Sequence, residues 1–283
     1  MITIRAARAT VIFLAAAWSM VLGAAPAQAD DGWVITSFDS QIAVSVDSTL
    51  VVREDIRVDF GTLQKHGIFR TIPLRYRYDD THDRYYELTV NSVTDGTRAL
   101  PYTASVDSDN EVIKIGDPNF LVTGANRYVI TYQVVGAMNS FADRDEVFWN
   151  VDGALWPVPK QSVTATMILP AGAFQKAACY QGPVGSTETC KYMQNGDTVG
   201  FSSTRALASG EEMSAVTALN KGVVTVPPPL LEPRLRQFPQ DAFDGNQLSV
   251  GLSLLILLVG VGLVAWNYLA HGRDRAYLTK YYL

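Results

Sequence analysis

The chain has 283 residues, 48% of them hydrophobic and 18% charged, with 23 Lys+Arg against 28 Asp+Glu for a formal net charge of −5. The acid excess is larger still over residues 30–247, because the two ends hold Arg5, Arg8, Arg273, Arg275 and Lys280 against Asp274 alone. A nucleic-acid surface needs clustered Lys and Arg, so that class of partner is excluded, and anionic lipid headgroups would repel such a domain.

Residues 1–29 have the three parts of a secretory signal peptide: the bases Arg5 and Arg8, an apolar run from Val11 to Ala25, and a small-x-small site at Ala27-Gln28-Ala29. Cleavage there starts the mature chain at Asp30, and residues 30–221 are expected to form one extracytoplasmic domain. From Trp33 to about Leu219 the apolar period is two rather than 3.6. Ile42, Val44 and Val46 alternate with polar neighbours, as do Ile56, Val58 and Phe60, then Tyr128, Ile130, Tyr132 and Val134. Turn residues interrupt these runs about every 8–12 positions, Asp95-Gly96 and Asn195-Gly196-Asp197 among them. The spacing predicts an all-β fold, a β-sandwich of about ten to twelve strands.

Two segments of this region stand out. His66-Gly67-Ile68-Phe69-Arg70-Thr71-Ile72-Pro73 reads as a turn entering a strand, with Arg70 available to one of the many acids. In Phe148-Trp149-Asn150-Val151-Asp152-Gly153-Ala154-Leu155-Trp156-Pro157-Val158-Pro159, Asp152-Gly153 turns the chain and the prolines end pairing at a sheet edge. Trp149 and Trp156 read as core residues, with stacking on a sugar as the alternative. Arg70 and the acidic run Asp143, Asp145 and Glu146 are the candidate contacts to a partner.

Nothing in the pattern points to catalysis, a metal or a cofactor. There is no H-E-x-x-H, no G-x-S-x-G and no cysteine metal cluster, and His66 and His82 read as surface or hydrogen-bonded residues. A carboxylate pair opposed across a cleft is the enzymatic alternative. Cys179 and Cys190, the only cysteines, are expected to form a disulfide in an oxidising compartment. The competing reading is a sortase-like thiol at Thr187-Glu188-Thr189-Cys190, which would need an activating His and an unpaired Cys179.

Residues 222–247 carry Val226-Pro227-Pro228-Pro229-Leu230-Leu231-Glu232-Pro233, and proline at this density favours an extended, semi-rigid stalk. Leu248 to Leu269 follows without a charge, long enough at about 33 Å to cross a hydrocarbon core as one transmembrane helix. Asp241 and Asp244 precede it; Arg273, Arg275 and Lys280 follow. Positive-inside then places residues 30–247 outside and the tail, 270–283, in the cytoplasm of a single-pass cell-membrane protein.

Together the two segments resemble a bacterial family of predicted membrane proteins, domain of unknown function 2207. The resemblance rests on Gly67, Arg70, Ile72 and Pro73, then Trp149, Asn150, Val151, Gly153, Trp156, Val158 and Pro159, then Leu169-Pro170 and Gly272-Arg273-Asp274. Arg275 departs from it, standing where a proline is usual. The resemblance implies an extracytoplasmic β domain followed by a membrane helix, and brings no reaction and no assigned site. The expectation is an envelope protein displaying a binding or scaffolding domain toward another envelope protein or a wall polymer. A wall-glycan hydrolase or transferase, and the sensory half of a longer membrane protein, are the alternatives.

Overall fold

The computed structural model describes residues 32–234 and 247–271. The expected signal peptide, residues 235–246 of the expected stalk and residues 272–283 of the tail lie outside the described residues. Eighteen strands are formed in chain order: β1 Val34–Val44, β2 Leu50–Asp59, β3 Gly67–Pro73, β4 Arg75–Arg77, β5 His82–Tyr85, β6 Glu87–Thr94, β7 Tyr102–Asp107, β8 Asn110–Gly116, β9 Ala125–Val135, β10 Met138–Ser140, β11 Arg144–Asn150, β12 Val163–Ile168, β13 Phe174–Pro183, β14 Glu188–Thr189, β15 Lys191–Asn195, β16 Thr198–Ser202, β17 Glu211–Asn220 and β18 Leu231–Pro233. Part of the excess over the expected ten to twelve comes from β4, β10, β14 and β18, which are two or three residues long, too short to show a period.

The strands make a sandwich of several sheets around one apolar core. A seven-stranded sheet runs β15-β16-β12-β1-β2-β9-β6 and a five-stranded sheet β10-β11-β17-β13-β14; the triplets β18-β5-β4 and β3-β8-β7 complete the domain. Within the two larger sheets pairing is antiparallel except for β1 with β12. Side chains alternate across a pleated strand, so Leu50, Val52, Ile56 and Val58 of β2 and Ile130, Tyr132 and Val134 of β9 all face inward and are buried. In β1 the alternation slips at a bulge between Ile35 and Ser37, which lets Ile35 and Phe38, three apart, both enter the core.

The chain passes from the five-stranded to the seven-stranded sheet between β11 and β12. This crossing segment continues β11 by one bond, Val151 N–H to Met213 O at 2.8 Å. It then joins the edge of β1, where Ile35 N–H reaches Pro159 O at 3.1 Å and Gln161 N–H reaches Ile35 O at 2.9 Å. Cys179 and Cys190 form a disulfide, which fastens β13 of one sheet to the chain just before β15 of the other. With both sulfurs bonded to each other, the thiol-nucleophile alternative falls.

The expected stalk starts later than Gly222. Val224 is buried, Thr225 N–H reaches Val46 O at 2.8 Å, Tyr85 N–H reaches Leu230 O at 3.0 Å, and Glu232 pairs with Arg75. Proline cannot donate, but Leu230 and Leu231 can still pair beside β5, so residues 222–232 are part of the domain. The second unit contains the one described helix, α1 Gln247–His271, of which Val250–Ala270 has a mean hydropathy of 2.2. At 1.5 Å per residue that stretch is about 32 Å long, enough to cross a membrane.

Candidate functional site

The strand β3 and the crossing segment, the two segments singled out in the sequence, meet inside the sandwich. Arg70 is 2% exposed and holds the fully buried Glu54 of β2 through two parallel bonds, Nε to Oε2 and Nη2 to Oε1, each 2.8 Å. Its Nη1 donates to Asp152 O at 2.7 Å and to Thr71 O at 3.0 Å. The Tyr132 hydroxyl donates to Glu54 Oε1 at 2.7 Å, and the guanidinium lies over the rings of Phe38 and Trp156. Burial works against the Arg70 cation, but the Glu54 carboxylate outweighs it and holds Arg70 above its ordinary value. Burial and the same carboxylate push the Tyr132 phenol well up.

Glycine is needed at two of these positions for steric reasons. A Cβ on Gly67, at φ +143°, would sit 1.9 Å from Ile115 O, so the close β3–β8 approach tolerates no side chain there. Gly153, at φ +75°, turns the chain beside Arg70 Nη1. Trp156 donates from Nε1 to Asp152 O at 2.9 Å, while Trp149 is buried with no partner for its Nε1. Both tryptophans are buried in the core. Asn150 Oδ1 accepts from Ser214 Oγ at 2.8 Å, Ile72 is buried, and Pro73 ends β3.

A second buried pair adjoins the first. Lys160 and Asp152 have no exposed side-chain surface, and Nζ is 2.7 Å from Oδ2. Lys160 Nζ also donates to Gly153 O at 3.2 Å and to Glu211 O. Asp152 Oδ1 accepts the Met213 N–H at 2.8 Å. Burial pushes the Asp152 carboxyl up against the pull of Lys160, and burial followed by Asp152 pushes up Glu212. Glu54, Tyr132, Lys160 and Glu212 carry no site signal in the sequence, and Asp152 reads there only as a turn residue. The one cue to burial is that Glu54 is an acid in the inward register of Leu50, Val52, Ile56 and Val58.

The candidate contacts are placed differently from expectation. Arg70 is sealed inside and has no surface to offer a partner, because a strand position between Ile68 and Ile72 faces the core. Asp145 is 1% exposed and held by Lys221 Nζ at 2.6 Å, and Glu146 is paired with Arg144 at 3.4 Å. Of that set only Asp143 is well exposed, and it too contacts Arg144, at 3.0 Å.

What the two segments present to solvent is a groove of about 450 Å³, where the start of β3 meets the crossing segment. Trp33, Phe69, Leu155, Trp156 and Pro157 line it, with Phe69 60% and Leu155 55% exposed. Its charged and titratable lining is Lys65, His66 and Lys114, with no Asp or Glu. Lys114 faces Phe69 across the β3–β8 register, its Nζ 5.9 Å from the ring centroid. Among the described residues no group of three or more His, Cys, Asp or Glu could hold a metal ion.

Solved structures with some likeness include an M1 zinc metallopeptidase from Deinococcus radiodurans, at 12% identity and TM-score 0.40 over 66% of this chain and 43% of that one. Leukotriene A4 hydrolase from Saccharomyces cerevisiae matches at 10% identity and TM-score 0.41 over 69% and 32%. The chain thus spans less than half the length of either. No curated protein gives a match. The family model described as "Predicted membrane protein (DUF2207) N-terminal domain" matches residues 34–219, the span that holds Arg70, the crossing segment and the groove lining apart from Trp33. The chain belongs to this DUF2207 family of predicted membrane proteins.

Proposed function

We propose that the protein is a single-pass protein of the bacterial cell envelope that displays its β-sandwich on the outer face and acts by binding rather than turnover. The observation that carries this reading is the groove: an apolar trough edged by Lys65, His66 and Lys114 in a chain of net charge −5. A contiguous exposed apolar surface with a few charges of one sign is the signature of a docking site. Its sign complements an acidic segment with apolar side chains, as another envelope protein would supply. The buried ionisable groups support the same reading, since Glu54, Arg70 and Tyr132 are spent on one another inside the core.

The test is site-specific photo-crosslinking in intact cells. A crosslinker at Phe69 or Leu155 should give a discrete adduct that Lys114→Glu weakens, while one at Val184, exposed on 74% of its surface, should give none. Equal adducts at all three positions, or hydrolysis of wall glycan by the purified protein, would contradict the reading.

A further inference from the structure

The Lys160–Asp152 pair is arranged for more than charge neutralisation. Nζ stands 2.7 Å from Oδ2, and neither side chain has any exposed surface. Nζ also donates to the carbonyls of Gly153 and Glu211. Two carbonyls and one carboxyl group thus take the three donor directions of Nζ and hold it against the Asp152 side chain. On the other side of that carboxyl, the Met213 N–H at 2.8 Å from Oδ1 stands where an oxyanion would form.

A second carboxyl completes the set. Glu212 lies in the chain between Glu211, which accepts from Lys160, and Met213, which donates to Asp152. It is 8% exposed, accepts the Ala154 N–H, and burial followed by Asp152 favours its protonated form. In a dry interior an ion pair loses much of its advantage over the neutral acid and amine.

We propose that Lys160 and Asp152 condense to an intramolecular isopeptide bond, with Glu212 carrying the protons. The ammonium first passes its proton to the Asp152 carboxylate, leaving acid and amine. Nζ attacks Cγ, and the charge that develops on Oδ1 is held by the Met213 N–H. Protonated Glu212 then gives its proton to the Oδ2 hydroxyl, which leaves as water, and takes one back from Nζ. One C–N bond forms and one C–O bond breaks; nothing is oxidised or reduced, and no co-reactant is needed. Fixing the reactants in contact supplies the entropic advantage, and exclusion of bulk water disfavours the reverse step. The product would close the crossing segment covalently between residues 152 and 160.

The test is mass spectrometry of the purified full chain. The protein should be lighter by one water than its disulfide-bonded sequence. Trypsin should fail to cut after Lys160, leaving residues 145–176 as one peptide short of a water. Glu212→Gln should restore the full mass and the cut, and Lys160→Met should restore the full mass. A wild-type chain of full mass that is cut after Lys160 would overturn the proposal. An undiminished bond in Glu212→Gln would overturn the role given to Glu212.

Discussion

Arg70 Nη1 donates to the carbonyl oxygen of Asp152 at 2.7 Å, joining residues 82 positions apart in the chain. The bond explains why both segments look distinctive. Arg70 needs a planar fork to hold Glu54, Gly153 leaves room beside Nη1, and Trp156 shares the Asp152 carbonyl from Nε1. With the charged groups committed inside, the outer ends of the two segments are left to form the groove.

Removing Arg70 strands a buried carboxylate. Breaking a buried pair by deleting one partner costs about 3–5 kcal/mol, so Arg70→Met should lower the urea midpoint of the detergent-solubilised protein sharply. Pairing it with Glu54→Gln should recover part of the loss, because the unpaired charge is then gone. Arg70→Lys should fall between, keeping the charge but losing the two-pronged contact. An unchanged midpoint in Arg70→Met would refute the structural role.

The two tryptophans should answer differently to the same conservative change. Trp156→Phe loses the Nε1 bond to Asp152 O and strands part of that carbonyl's bonding, a cost of about 1 kcal/mol beyond the lost packing. Trp149→Phe removes a buried N–H that has no partner, so its penalty is packing alone. Thermal unfolding should therefore rank Trp156→Phe below Trp149→Phe. The reverse order would place the hydrogen bond elsewhere.

Two acids should give opposite pH signatures. The side-chain bonds from Arg205, then Gln181, pull Glu188 down to about 2 from an ordinary 4.5. A depressed acid contributes its stability above the unfolded value and loses it as pH falls through the folded one. The deficit of Glu188→Gln should thus be present at pH 6 and shrink between about 4.5 and 2. Glu212 is raised, so its contribution is complete below 4.5 and is lost as pH rises through its folded value. Glu212→Gln, neutral throughout, should lose less melting temperature than the wild type as pH rises above 4.5, a difference in slope separate from any constant offset left by loss of the Lys160–Asp152 bond. A gain on acidification instead would reverse the assignment.

The disulfide should be worth measuring by its loop. Closing the 11-residue separation between Cys179 and Cys190 stabilises by about 2–3 kcal/mol in the chain-entropy account. Cys179→Ser with Cys190→Ser should lower the unfolding midpoint accordingly, and the wild type should do the same in reductant. Insensitivity to reductant would mean that the fastening of β13 to the chain before β15 carries no load.

The β character was legible in the sequence because inward and outward residues alternate through β2 and β9, and the helix because Val250–Ala270 carries no charge. The site was only half legible. Gly67, Arg70, Gly153 and Trp156 stand out as a pattern, but nothing in it separates an Arg70 paired with an acid from an Arg70 offered to a partner. Its burial depends on Glu54, which lies on another strand, and a single sequence does not show which acid an arginine meets. Lys160 and Glu212 gave no local signal, since a lysine after Pro159 and paired glutamates at a strand start look like solvated charges. The groove is a product of topology, made where β3 meets the crossing segment.

Display of the domain on the outer face is the claim on which the proposed role depends, and protease accessibility tests it most directly. Trypsin added to intact spheroplasts should cut between residues 234 and 247 and release a soluble fragment that still carries the Cys179–Cys190 disulfide. Protection of the whole domain until the membrane is opened with detergent would contradict the account.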